Sequence, residues 1–371
     1  MIVGLFPDLS SAGGIQRAGR LTAAALLSYA SRRGETCTSL SLNDRADTSN
    51  ARIGSQEIQF TGFGRSKRHF AAAAWRVAGE GPRLVVALHP NLAPIVAAMK
   101  FRSPRTRFVT FAHGVEVWTP LNAMRRWSLD RCDLVLAPSA YTVRQLIEQQ
   151  GTKPEKTGRL AWSLGPEFDA RKTPTATVPP TGFPSGRIIL TVGRWDAGEA
   201  YKGVDHLIAA LPELLRDVSD LHLVAIGGGS DLPRLEQLSR QSSAAENIHF
   251  LPFLDPEQLD AAYDSCDVFA LPSRGEGFGL VFLEAMSHCK PVVGGAHGGT
   301  PDVIEDGESG YLVRYGEVSE LANRLRRLLT DEPLRRRMGT AARYRVVRDF
   351  TFERFSAEFT ARLDGLLSAA R

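Results

Sequence analysis

Short hydrophobic runs alternate with helix-length amphipathic segments from one end of this chain to the other, the pattern of βαβ units on a parallel sheet. In the first half the runs 2–6, 84–88, 108–112 and 134–137 predict strands, with helices over 15–32, 67–78 and 141–149 among them. Residues 166–186, which hold Pro174, Pro179, Pro180 and Pro184, interrupt the rhythm as an interdomain linker does. It then restarts, with strands predicted at 188–192, 221–226, 248–251, 268–271, 291–293 and 311–313. Three helices, 319–329, 333–347 and 352–367, follow with no strand between them. The fold class is therefore α/β, two Rossmann-like doubly wound domains in tandem. Their expected bounds are 1–170 and 187–350, joined by a linker at 171–186 and followed by a helix over 351–371.

A chain of 371 residues fits two domains at roughly 150 residues each. With 43% hydrophobic and 23% charged residues, neither a disordered polymer nor a membrane-embedded protein matches the composition. Pro7 and Asp8 interrupt the amino terminus before an apolar signal segment develops, so the expected location is cytoplasmic. Cys37, Cys132, Cys266 and Cys289 form no CxxC pair, which indicates neither a disulfide framework nor a structural zinc. Charge is unevenly divided: residues 1–180 hold 24 Lys and Arg against 13 Asp and Glu, a net +11, whereas 181–371 hold 21 against 28, a net −7. A basic half suits an anionic membrane surface, an acidic substrate or nucleic acid. No nucleic-acid motif is recognisable, and nucleic acid is not an expected partner.

Ligands of open α/β sheets sit beyond the carboxyl ends of strands, so two such domains are expected to hold a ligand in the cleft between them. After the first strand, Gly13 and Gly14 open a helix, where backbone amides and the helix dipole can receive an anion. A tight turn needing positive φ explains the same glycines. His113 ends the strand 108–112, placed to hydrogen-bond a polar ligand or to serve a structural role. In the second half, Arg194 ends a strand and Lys202 opens the next helix. Two cations beside fresh helix amides are what a diphosphate needs, and two surface cations are the plain alternative. No Asp-x-Asp pair occurs, so neither metal nor cofactor is expected.

Gly227, Gly228 and Gly229 read as architecture, while the segment containing Phe253 ends a strand where a nucleotide base can be faced. The stretch 273–286, SRGEGFGLVFLEAM, is the richest. Glu276 stands in a glycine-flanked loop, Glu284 lies in the following helix, and the amides of Gly277, Phe278, Gly279 and Leu280 open that helix. A glycosidase pair needs carboxyls about 5 to 9.5 Å apart. Two acceptors on different elements suit two groups of hydroxyls on one ligand better.

These motifs together resemble a family 4 retaining glycosyltransferase of the GT-B fold: the GGI turn at 13–15, the His113 strand end, VGR and YKG between 192 and 203, EGFGLVFLEAM at 276–286, and the glycines 298–299. The resemblance implies that the second domain binds a nucleotide sugar, a co-substrate, and the first binds a glycan or polyprenyl-linked acceptor. It assigns Arg194 and Lys202 to the diphosphate, Glu284 to the ribose, and Glu276 with the 277–280 amides to the donor hexose. It puts Gly13 and Gly14 at the phosphate, His113 near the anomeric carbon, and the carboxy-terminal helix back on the first domain. The segment from Arg194 to Lys202 is longer than the family's compact spacing.

Arg65, Lys67, Arg68 and His69 precede Phe70 and Trp75, and Arg125 and Arg126 precede Trp127. Such a surface either docks on anionic lipid at the inner face of the plasma membrane or is a solvated helix face over a buried tryptophan. The expected function is hexose transfer from a UDP- or GDP-hexose in cell-surface polysaccharide assembly. A sugar-nucleotide 2-epimerase of the same fold and a non-catalytic ligand-binding protein are the alternatives.

Overall fold

A computed structural model describes residues 1–169 and 178–368. The chain divides into two compact units, Met1–Asp169 with Phe350–Arg371, and Ala170–Asp349. Of the expected linker, 171–177 lie outside the described residues, and 178–186 form neither helix nor strand; residues 369–371 of the expected last helix also lie outside them.

The first unit runs β1 (Ile2–Phe6), α1 (Gly14–Arg32), β2 (Cys37–Ser41), β3 (Thr48–Ile53), β4 (Gln56–Gly62), α2 (Lys67–Gly79), β5 (Leu84–Ala87), α3 (Ala93–Arg102), β6 (Arg107–Phe111), α4 (Ala123–Asp130), β7 (Leu134–Ala137), α5 (Ala140–Glu148) and β8 (Thr157–Arg159). Its sheet has the order β3-β4-β2-β1-β5-β6-β7-β8. Every neighbouring pair is parallel except β3 with β4, an antiparallel hairpin closed by Gly54 and Ser55 in the register Ile53 to Gln56. Gly54 takes φ 55°, which a two-residue hairpin turn demands and glycine supplies without strain.

The sequence predicts no strand at β2, β3, β4 or β8. Two of these are polar: β3 reads TSNARI and β4 reads QEIQFTG, burying only alternate residues such as Ala51, Ile53, Ile58 and Phe60. A search for continuous apolar runs passes over a half-exposed edge hairpin, whose signal is period two.

One face of this sheet packs Val3, Leu5, Val85 and Phe108 against Phe70 of α2 and Val96 and Met99 of α3. Three residues on from Phe108, Phe111 points to the opposite face. There its ring lies 5.5 Å from Phe359, on the long carboxy-terminal helix that belongs to this unit. That helix also holds α1, with the Tyr29 hydroxyl donating to Asp364 Oδ1 at 2.7 Å.

The second unit contains β9 (Arg187–Arg194), α6 (Val204–Leu214), β10 (Leu221–Gly228), α7 (Leu232–Gln241), β11 (Ile248–Leu251), α8 (Pro256–Ser265), β12 (Val268–Leu271), α9 (Leu280–Ser287), β13 (Val292–Gly295), α10 (Thr300–Val303), β14 (Gly310–Val313), α11 (Val318–Thr330) and α12 (Glu332–Asp349); α13 (Phe352–Ser368) is the helix returned to the first unit. All its strands are parallel, in the order β11-β10-β9-β12-β13-β14. Counted within the unit this is 3-2-1-4-5-6, the doubly wound arrangement whose direction reverses between its first and fourth strands. No described helix is long and apolar enough to cross a membrane.

Candidate active site

In the second unit the sheet reverses direction between β9 and β12, so their carboxyl ends open the crevice where a doubly wound sheet binds its ligand. Arg194 is the last residue of β9, and Lys202 ends a short 3-10 turn that leads into α6. Gly203 joins that turn to the helix at φ 75°. A Cβ there would lie 2.7 Å from the Pro272 carbonyl, so only glycine lets the turn pass beside the end of β12. Lys202 Nζ donates to the Arg194 carbonyl at 3.1 Å and lies 5.8 Å from the centre of the Trp195 ring. Both cations are paired: Arg194 with Asp196 at 2.9 Å and with Glu199, Lys202 with Glu199 at 2.9 Å. Burial opposes ionisation of Glu199, but Lys202 and then Arg194 outweigh it and hold the carboxyl below its ordinary range. Trp195, Asp196, Glu199, Lys202, Asp231 and Arg234 line a recess there.

The segment after β12 is braced on both sides. Arg274 N donates to the Tyr201 carbonyl at 2.9 Å, Gly275 N to Ser273 Oγ at 3.0 Å, and the Glu276 carbonyl accepts from Gly299 N at 2.7 Å. Burial pushes the Glu276 carboxyl above its usual range; Lys202 pulls it back and Glu199 reinforces the rise. Lys202, Glu199 and Glu276 thus share one electrostatic neighbourhood, which Arg194 joins through its pairing with Glu199. Phe278 is buried, so what its position offers a ligand is backbone, not ring. Gly279 takes φ 93° at the start of α9, where Leu280 begins a helix whose first amides have no partner within it. Four residues into α9, Glu284 is half-buried, and its Oε2 accepts the Tyr263 hydroxyl at 2.7 Å. Phe253 follows β11 and is 63% exposed; a Cβ on Gly228, at the end of β10, would lie 3.4 Å from its ring. Gly227 is structural: a Cβ there would meet the Gly193 carbonyl at 1.8 Å.

The first unit reverses direction between β1 and β5. After β1 the loop is tied down by Asp44, whose carboxylate receives Leu9 N at 2.8 Å and Ser10 N at 3.2 Å, and by Arg20, which donates to the Leu9 and Ser11 carbonyls at 2.9 and 3.1 Å. Gly13 caps α1 at φ 141°, a conformation L side chains rarely adopt, and a Cβ on Gly14 would meet nothing within 4 Å. His113, after β6, is stacked between two rings, His89 at 5.6 Å and Trp162 at 5.5 Å. Its Nε2 lies 2.6 Å from the Leu88 carbonyl. A carbonyl can only accept, so Nε2 carries the proton and Nδ1 is left as an acceptor. Burial lowers the pKa of His113, and burial together with His113 lowers that of His89, so both rings are neutral near pH 7.

Glu199, Tyr263 and His89 are not predicted from the sequence. Glu199 lies in the lengthened segment 194–202, which is its only signal; His89 follows a strand as His113 does, and nothing in the sequence marks Tyr263. Phe70 of the basic segment is a core residue, whereas Trp75 on α2 and Trp127 on α4 are 41% and 49% exposed. Arg102 covers the Trp75 ring at 4.9 Å and Arg131 covers Trp127 at 3.9 Å. Among the described residues no group of three or more His, Cys, Asp or Glu is placed to hold a metal ion.

Residues 179–345 match the family described as glycosyl transferases group 1, and residues 21–158 match glycosyltransferase family 4. The GDP-mannose-dependent alpha-(1-6)-phosphatidylinositol monomannoside mannosyltransferase of Mycolicibacterium smegmatis is 31% identical over 284 residues, 71% of this chain and 72% of that protein. The D-inositol 3-phosphate glycosyltransferase of Corynebacterium aurimucosum is 32% identical over 226 residues, 58% of this chain and 52% of that one. Among solved structures, sucrose-phosphate synthase from Thermosynechococcus elongatus superposes with a TM-score of 0.79 at 20% identity, covering 99% of both chains. The chain is a glycosyltransferase with two Rossmann-like α/β domains of the GT-B fold, and it belongs to glycosyltransferase family 4.

Proposed function

We propose that this glycosyltransferase moves a hexose from a UDP- or GDP-hexose to a hydroxyl of a glycan or lipid-linked saccharide, with retention at the anomeric carbon and without a metal ion, in cell-surface polysaccharide assembly. The observation that carries the reading is the gathering of Arg194, Lys202 and Glu276 where β9 and β12 diverge. Two cations beside helix amides suit a diphosphate, and a carboxylate in the adjoining loop suits sugar hydroxyls.

The chemistry then follows from charge. As the glycosidic bond to the diphosphate lengthens, negative charge grows on the leaving phosphate and positive charge on the sugar ring. Arg194 and Lys202 stabilise the first, Lys202 more strongly than in water because its side chain is largely shielded from solvent. The acceptor hydroxyl attacks from the face the diphosphate leaves and passes its proton to a phosphate oxygen. No covalent nucleophile is required, so catalysis is positioning and charge stabilisation. Glu276 and the amides of residues 277–280 hold the hexose, Glu284 the ribose, and Phe253 stacks on the base. In the first unit, the α1 amino terminus behind Gly13 and Gly14 offers amides to an anion, and Nδ1 of neutral His113 accepts a hydrogen bond from a sugar hydroxyl. The acceptor is assigned to this unit, whose exposed Trp75 and Trp127 sit among arginines and suit peripheral docking on anionic lipid at the cytoplasmic membrane face.

The M. smegmatis relative supports a GDP-hexose as one of the two donors to test. The experiment is transfer from each nucleotide sugar to a panel of glycan and prenyl-linked acceptors, with the anomeric configuration of the product read by NMR. Retained configuration in the presence of EDTA supports the proposal. An inverted product, or conversion of the nucleotide sugar with no acceptor present, contradicts it.

A further inference from the structure

Glu199 stands where the donor assignment expects a ligand. One of its carboxylate oxygens receives Arg194 Nη2, and the other receives Lys202 Nζ at 2.9 Å. Asp196 takes Arg194 Nε at 2.9 Å and is itself fixed by Ser230 N at 3.1 Å. The four side chains sum to zero charge, so the cation pair that would attract a diphosphate is already neutralised by the protein. Glu199 lies at a kink in the 3-10 turn, at φ −116° and ψ 21° among helical neighbours, in the stretch that lengthens the 194–202 segment.

We propose that Glu199 is an internal competitor for the donor's diphosphate, so that a nucleotide gains Arg194 and Lys202 only as Glu199 gives them up. The proposal rests on the assignment of those two cations to the diphosphate. A carboxylate carries one charge, whereas a nucleoside diphosphate carries two or three and offers more acceptor oxygens, so the exchange favours the diphosphate while lowering its net affinity. A ligand without phosphates does not reach the pair and is not subject to the competition. Glu199 thereby decides how strongly the site distinguishes a nucleoside diphosphate from the bare nucleoside.

The test is calorimetric titration of UDP, GDP, uridine and guanosine into the wild type, Glu199→Gln and Lys202→Ala, with Glu199→Ala as a second form of the first change. Arg194 is exposed and its pair with Glu199 is individually weak, so the expected gain for the Glu199 variants is about 3- to 10-fold in nucleoside diphosphate affinity, with nucleoside affinity unchanged. Unchanged or weakened diphosphate binding, or an equal gain for the nucleoside, overturns the proposal. If Lys202→Ala loses the diphosphate while the Glu199 variants match the wild type, the donor assignment stands and this inference alone fails. If the wild type binds neither diphosphate, both fall.

Discussion

The hydroxyl of Tyr263 donates to Oε2 of Glu284 at 2.7 Å, joining α8 to α9 beneath the residue we assign to the donor ribose. Tyr263 is buried and stacks on His288 at 5.7 Å, and His288 is in turn held by Asp264 at 2.6 Å. A carboxylate that receives a diol must keep its plane, and a buried phenol fixes that plane without adding charge. Tyr263→Phe keeps the ring and removes the donor, at a cost of about 1 kcal/mol for one hydrogen bond. We expect the KM for the nucleotide sugar to rise about 3- to 10-fold with kcat less affected. The preference for ribo- over 2′-deoxyribonucleoside diphosphates should shrink, and competition binding with the two series measures it; an unchanged preference counts against this role.

Stability should carry two histidine signatures of opposite sign. Burial lowers His89 and His113 below the usual 6.5, so the unfolded chain takes up protons before the folded one does. Their contribution is present above pH 6.5 and is lost as pH falls towards the lowered native values, at up to about 1.4 kcal/mol per proton and pH unit. His288 is raised by Asp260 and Asp264 against the pull of burial, so its contribution is full below 6.5 and fades as pH rises through its native value. Urea unfolding across pH 4.5–8 should show the acid loss, and His89→Asn should make it shallower.

If Glu276 holds the donor hexose as proposed, Glu276→Ala should leave a folded protein with turnover reduced about 100-fold or more. Because burial raises the Glu276 carboxyl above its ordinary range and the proposed hexose contact needs an ionised carboxylate that accepts hydroxyl hydrogen bonds, the acid limb of kcat/KM should lie above the ordinary carboxylate range. Circular dichroism and a pH–rate profile check the two statements; near wild-type transfer by the variant contradicts the assignment.

Exposed Trp75 and Trp127, with Arg125 and Arg126 beside the latter, should bind vesicles rich in anionic lipid and ignore neutral ones. Each cation near such a surface contributes about 1 kcal/mol, so Arg125→Ala with Arg126→Ala should weaken binding on the order of 30-fold, and high salt should abolish it. Sedimentation with vesicles reads this directly, and equal binding to neutral vesicles would count against docking by charge.

How far the sequence reveals this molecule depends on what each residue's role is local to. The buried parallel strands are continuous apolar runs such as Leu134–Ala137, and they are legible because both faces of the sheet are covered. The hairpin of β3 and β4 escapes because half its side chains face water and its pattern has period two. Arg194, Lys202 and Glu276 are recognisable because they lie at a strand end or in a glycine-flanked turn, and Glu284 because it follows the glycines that start α9. Tyr263 reaches Glu284 across 21 residues, and His113 is clamped by His89 and Trp162 from other strands and loops. Such partners are set by packing in three dimensions, and no spacing in one dimension announces them. Glu199 lies only three residues from Lys202, yet which charges it meets is decided by the kink at its own backbone.

The most direct measurement is titration of UDP and GDP into the wild type and Lys202→Ala, each in EDTA. A ligand at ~100 Kd stabilises the fold by about 2.7 kcal/mol, so a thermal shift can screen for the preferred nucleotide before titration. One nucleoside diphosphate should bind the wild type despite EDTA, and Lys202→Ala, though folded, should bind it at least tenfold more weakly. Binding that requires a divalent metal, or that survives Lys202→Ala undiminished, would contradict a diphosphate held by the cation pair at the end of β9.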